Sequence, residues 1–101
     1  MLVFFSGRRL KPGRWEQFRE AWSPASGEGE LPPGAVAIYH ARNLKDPDEV
    51  ISFGLFEGDA DAAPAVRGDG EAELRRQDAM AEFVHDIPLE GVYEVIEEIR
   101  P

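Results

Sequence analysis

Leu2, Val3, Phe4 and Phe5 begin the chain as consecutive β-formers, and the run turns polar at Ser6, Gly7, Arg8 and Arg9. This predicts a first strand, β1, over Leu2 to Arg9. Pro12 stands where a first helical turn tolerates a missing N–H, and Trp15, Phe18 and Trp22 then recur at i, i+3 and i+7. That spacing predicts helix α1 over Arg14 to Trp22. Ser23-Pro24 stops it, because the residue before a proline is pushed out of the helical region. Ala25 to Gly34 has Leu31 as its sole large apolar residue and reads as a loop. Ala35 to Leu44 alternates Val36, Ile38, His40, Arg42 and Leu44 with Ala35, Ala37, Tyr39, Ala41 and Asn43, a period of two that predicts strand β2.

Asp46-Pro47-Asp48 is the expected turn, and Glu49 to Glu57, carrying Val50, Ile51, Phe53, Leu55 and Phe56, is the expected strand β3 of a hairpin. Gly58 to Gly70 is rich in Asp, Ala and Gly and reads as a connection with a short helical turn near Ala60. Glu71 to Asp86 is predicted as helix α2, with Leu74, Ala81 and Val84 on its apolar face, Met80 beside them and Pro88 closing the segment. Gly91 to Arg100, with Val92, Tyr93, Val95, Ile96 and Ile99, is the expected strand β4. The order β-α-β-β-α-β belongs to the ferredoxin-like α+β class, a four-stranded antiparallel sheet with two helices on one face. Because β1, β3 and β4 carry large apolar residues on both faces, the helix-free face needs a cover. A second copy of the chain supplies one by symmetric self-pairing.

Composition narrows the function. The 101 residues suit a single domain, 1–101. With no cysteine, neither a disulfide nor a thiolate metal site reinforces it. A formal charge of -9 repels phosphate backbones and anionic lipid, so neither nucleic acid nor a membrane is the expected partner. The amino terminus has no basic segment ahead of its apolar run and no small-residue cleavage site after it, so it does not read as a signal peptide. The expected location is the cytoplasm.

The segment "LKPGRWEQFREAW" from Leu10 to Trp22, a Lys-Pro-Gly turn leading into an aromatic-bearing helix, resembles the dimeric α/β-barrel proteins of the antibiotic-biosynthesis-monooxygenase type. So does "VISFGLFEG" from Val50 to Gly58, which looks like that group's third strand, and the similarity covers nearly the whole chain. The resemblance implies a homodimeric dimeric α/β barrel with a cavity inside each subunit. It implies monooxygenase-like chemistry on an aromatic or polyketide-like substrate, or the non-catalytic binding or structural role of other such proteins. Haem-degrading relatives use a helix-borne histidine with a strand asparagine; here His85 falls near the expected end of α2, and β1 offers Ser6. No catalytic set transfers position by position.

Trp22, Tyr39 and His40 are the candidate ligand-binding residues. The stripe of Trp15, Phe18 and Trp22 suits both core packing and stacking on a flat ligand. His40 shares its face with Val36 and Ile38; it suits a hydrogen-bonded core or interface role, or a general base with an ordinary pKa near 6.5. Tyr39 lies among alanines that leave room beside it. Two histidines make a protein-only metal site thin, and a cation at a helix C-terminus explains His85 without a ligand. The acidic run from Glu57 to Asp61 lacks the ligand pattern of a calcium loop. No cofactor and no metal is expected, and the catalytic residues stay open; a small hydrophobic or aromatic ligand and a second copy of the chain are the expected partners.

Overall fold

The computed structural model describes residues 1–22, 34–64 and 71–101. Its elements are β1 (Leu2–Leu10), α1 (Trp15–Trp22), β2 (Ala35–Asn43), β3 (Asp46–Phe56), α2 (Glu71–Ala81) and β4 (Val84–Glu94), with a short 3-10 turn at Ala60–Ala62. The sheet order is β2-β3-β1-β4 with every neighbour antiparallel, which is the ferredoxin-like arrangement. The loop expected over 25–34 lies outside the described residues except for Gly34, as do positions 65–70 of the following connection.

Chain reversal between β1 and α1 depends on Gly13, whose φ of 72° lies where a side chain is strained. Its N–H donates to Asp48 Oδ1 at 3.1 Å, and Phe18 N–H donates to Arg14 C=O at 2.9 Å as the helix begins. The aromatic stripe of α1 then lands on the sheet. Leu10, Phe18, Val50 and Met80 form the buried core, with Trp15, Ala21, Trp22, Phe83 and Val84 packed against it. Since these come from β1, β3 and both helices, α1 and α2 cover the same face. Each fully buried side chain of this size contributes about 1.5–3 kcal/mol.

Several expected boundaries move. The hairpin turns at Leu44–Lys45, where Asn43 Oδ1 accepts the Lys45 N–H at 2.8 Å, and Asp46-Pro47-Asp48 belongs to β3. The reason is local: asparagine's short amide folds back on its own backbone and closes the turn first. Helix α2 ends at Ala81, not Asp86, as Phe83 N–H donates to Met80 C=O at 3.0 Å and Lys11 N–H takes the Phe83 carbonyl at 2.9 Å. Met80 is buried while Leu74 is exposed, so the expected apolar face of α2 is corrected as well.

Strand β4 consequently starts at Val84 and contains Pro88. An internal strand could not hold that proline, but β4 is an edge strand, and its register against β1 slips between Gly7 and Arg9 and again between Arg9 and Leu10. His85 therefore sits on an edge strand and not at the end of α2, so the helix-dipole explanation for it does not apply. Beyond Glu94 the chain leaves the sheet, with Val95 N–H bonded to Met1 C=O at 3.0 Å and Ile96 and Ile99 left 91% and 84% exposed.

The helix-free face carries Val3, Phe5, Ile51, Phe53 and Leu55 only half-buried, with Tyr39, Leu89 and Tyr93 exposed beside them. No helix among the described residues is long and apolar enough to cross a membrane.

Candidate functional site

Antiparallel pairing decides which side chains share a face, because residues opposite one another in the ladder point the same way. His40 is opposite Ser52, Ser52 opposite Ser6, and Ser6 opposite Glu90. A polar row therefore crosses all four strands on the face that α1 and α2 cover. Ser6 and Ser52 are 0% and 2% exposed, and Arg8, one step along β1 on the same face, is 5% exposed. Such burial of polar groups is costly unless something bonds them.

His40 Nδ1 and Ser52 Oγ share a hydrogen bond of 2.7 Å. His40 Nε2 and Ser6 Oγ are buried and have no hydrogen-bond partner among the described residues. Above the row, the rings of Trp22, Trp15 and Phe18 stand edge-on to the imidazole with centroids 4.5, 5.7 and 6.4 Å away. The i, i+3, i+7 spacing of α1 is what aims all three rings at one point of the sheet. Phe18 is fully buried in the core, while Trp15 and Trp22 keep partial exposure.

Guanidinium groups gather around this aromatic wall in a chain whose net charge is -9. Arg8 lies 5.2 Å over Phe18, Arg42 lies 5.6 Å over Trp15, and Arg19 and Arg76 lie 5.8 and 5.3 Å over Trp22. Arg8 also faces Glu90 across 3.9 Å. Burial, reinforced by the charges of Arg19 and Arg8, lowers the His40 pKa to about 4. At neutral pH the imidazole is uncharged, with one nitrogen a donor and the other an acceptor. The His40–Ser52 distance alone suits a base and a nucleophile, but a base with this pKa accepts a proton weakly and Ser52 is buried. The pair is suited to binding and orienting a polar group rather than to acyl transfer.

Of the candidate residues read from the sequence, Trp22 and His40 are brought together and Tyr39 is not. Tyr39 lies on the opposite face of the sheet, stacked on Phe53 with centroids 5.1 Å apart, and is 48% exposed. Its hydroxyl cannot reach a ligand held between α1 and the sheet. Ser6, Ser52, Arg8 and Glu90, which share this face, are not among the ligand-binding candidates read from the sequence, although Ser6 stands where haem-degrading relatives carry an asparagine. Their signal is a small or charged residue set inside an apolar strand, as in Phe4-Phe5-Ser6 and Val50-Ile51-Ser52. Among the described residues no group of three or more His, Asp or Glu side chains could hold a metal ion. A shallow hollow of about 220 Å³ lined by Ala41, Arg42, Asn43, Glu49 and Ile51 lies apart from the row, near the β2–β3 turn.

No family model and no curated protein matches the chain. Solved structures do. One from Deinococcus radiodurans, provisionally named an antibiotic biosynthesis monooxygenase, superposes with a TM-score of 0.72 at 14% identity over 100% of this chain and 98% of that one. Its counterpart from Nitrosomonas europaea, provisionally named likewise, gives 0.68 at 19% identity over 96% and 100%. A conserved protein from Methanosarcina mazei Go1 gives 0.70 at 11% identity over 91% and 89%. Identities this low establish architecture alone. The chain has the ferredoxin-like α+β fold of the structures that carry the antibiotic biosynthesis monooxygenase name.

Proposed function

We propose that the chain is a monooxygenase-like enzyme acting on an aromatic or polyketide-like small molecule, working in the cytoplasm as a homodimer and without a bound cofactor. The observation that carries this reading is the pairing of an aromatic wall with unsatisfied buried polar atoms: Trp15 and Trp22 above, His40 Nε2 and Ser6 Oγ below. A flat ring with oxygen substituents satisfies both parts, stacking or edge-packing on the indoles while its oxygens bond the row. The surrounding guanidinium groups favour substrates with acidic oxygens, as polyketide-like phenols have.

Oxygenation of such a substrate without a cofactor draws its electrons from the substrate itself. A ring methylene and O2 give a ketone and water, with one oxygen atom entering the product and the other leaving with the two methylene hydrogens. The residues of this chain bind and orient the ring, exclude water and favour the anionic form of its oxygens through Arg8 and Arg19. Neutral His40 offers one hydrogen bond at Nε2, fixed in direction by Ser52.

A non-catalytic homodimer that binds a small molecule is the second reading, and the lowered basicity of His40 favours it. Oxygen uptake on adding anthrone to the purified protein, followed with the absorbance of the quinone product, separates the two. Turnover that falls at least tenfold in His40→Ala and Trp22→Ala supports the enzyme. Anthrone binding, seen as quenched tryptophan fluorescence, without turnover supports the binding protein.

A further inference from the structure

Helix α1 is described over Trp15–Trp22, and carbonyls near the C-terminal end of a helix are open to side-chain donors. One of them is taken by a side chain of the other helix. Arg76 Nη1 donates to the Trp22 carbonyl at 3.1 Å, and the same guanidinium lies 5.3 Å over the Trp22 ring. Its remaining bonds fix it in turn: Nε donates to Glu73 Oε2 at 2.8 Å, Nη2 pairs with Glu73 Oε1, and Nη1 lies 3.7 Å from Met80 Sδ. Gln77 Nε2 donates to the same Glu73 oxygen at 3.2 Å. Arg76 is mostly buried, unlike its neighbour Arg75, whose side chain is 71% exposed.

We propose that Arg76 is a positioning residue of the site, holding Trp22 edge-on against His40 by bonding the Trp22 carbonyl and covering its indole from α2. The geometry leaves few other roles. Arg76 does not touch His40 in any contact described above, and its carboxylate partner lies three residues away on its own helix, where such a pair needs no third group. The bond to α1 crosses between elements, and it ends on the residue whose ring lies nearest to the imidazole among the three α1 aromatics. A lysine cannot replace this fork, since a single ammonium cannot span the Glu73 carboxylate and the Trp22 carbonyl while lying flat on the ring. That this arrangement serves ligand binding rests on the function proposed above; the arrangement itself does not.

The titration of His40 reads the position of Trp22 directly. The imidazole is kept neutral by burial under the α1 rings, and the charged groups around it are Arg8 on β1, Arg19 on α1, Arg42 on β2 and Arg76 on α2, with Glu90 on β4 facing Arg8. Withdrawing Trp22 admits water and moves the His40 pKa upward.

The experiment is an NMR titration of the imidazole carbons in the ligand-free protein, with exposed His85 as internal reference, for the parent chain, Arg76→Met, Arg76→Lys and Arg75→Met. Arg76→Lys keeps the charge, so a change there cannot come from removing a cation, and it gives the same reading should Arg76→Met fail to fold. The expected result is a His40 pKa raised by about one unit toward the ordinary value in both Arg76 variants, with His85 unmoved and Arg75→Met like the parent. A His40 titration identical to the parent in folded Arg76→Lys would overturn the proposal, even if its melting temperature fell. No ligand enters the measurement, so its outcome is independent of whether anthrone is a substrate.

Discussion

The imidazole of His40 meets the indole of Trp22 at 88°, ring centroids 4.5 Å apart, so that an α1 residue and a β2 residue form one surface between helix and sheet. An edge-to-face contact of this kind is worth about 0.5–1.5 kcal/mol beyond the area it buries. It also holds His40 out of water, and the acid behaviour of the protein follows.

His40 has a folded pKa of about 4, below the ordinary 6.5. Between those values the unfolded chain binds a proton that the folded chain refuses, so the free energy of unfolding rises with pH across that window. Stability contributed by the neutral imidazole is full above pH 6.5 and is lost as pH falls toward 4. Allowing for partial exposure, the loss is on the order of 1–2 kcal/mol. Urea midpoints at pH 7 and pH 5 measure it. The parent is expected to lose more stability over that interval than His40→Gln, and equal losses would remove His40 as the cause.

Gly54 faces the helices, between Phe4 and Ile38 in the ladder, with no room above its backbone. A Cβ there would stand 2.7 Å from Phe56 Cε2 and 3.3 Å from Ile38 Cγ1, and the Phe56 ring is buried and cannot swing clear into solvent. Gly54→Ala is expected to destabilise the fold by about 1–3 kcal/mol in chemical denaturation. Gly7→Ala, whose nearest neighbour would be 3.4 Å away, should cost less.

Self-association is expected through the helix-free face, where Val3, Phe5, Ile51, Phe53 and Leu55 form an apolar patch that Tyr39 and Tyr93 extend. Sedimentation at micromolar concentration should give twice 11.3 kDa, and Phe53→Glu should halve it by placing a charge in the middle of the patch. A parent chain that sediments as a monomer would contradict this.

Alternation along β2 made two faces legible in the sequence, with His40 on one and Tyr39 on the other. Which face lies under α1 was not legible, since each set mixes apolar and polar residues and only the pairing with Ser52 and Phe53 decides it. The element order could be read because Pro12 and the stripe of α1 are strong local signals, while the stop expected at Ser23-Pro24 lies outside the described residues. Strand β4 was misplaced because Pro88 is a breaker everywhere except at a sheet edge, and edge position is a property of the whole sheet. The row from His40 to Glu90 depends on registers between strands far apart in the chain, which no local pattern carries.

The placement of the site between α1 and the sheet is tested most directly by titrating anthrone into the protein while following the imidazole carbons of both histidines and the ring signals of both tyrosines. The account predicts that His40 shifts as ligand binds while His85, Tyr39 and Tyr93 do not, and that His40→Ala and Trp22→Ala weaken binding at least tenfold while Tyr39→Phe leaves it unchanged. Shifts at Tyr39 or His85 with His40 unmoved, or equal affinity in all three variants, would contradict it.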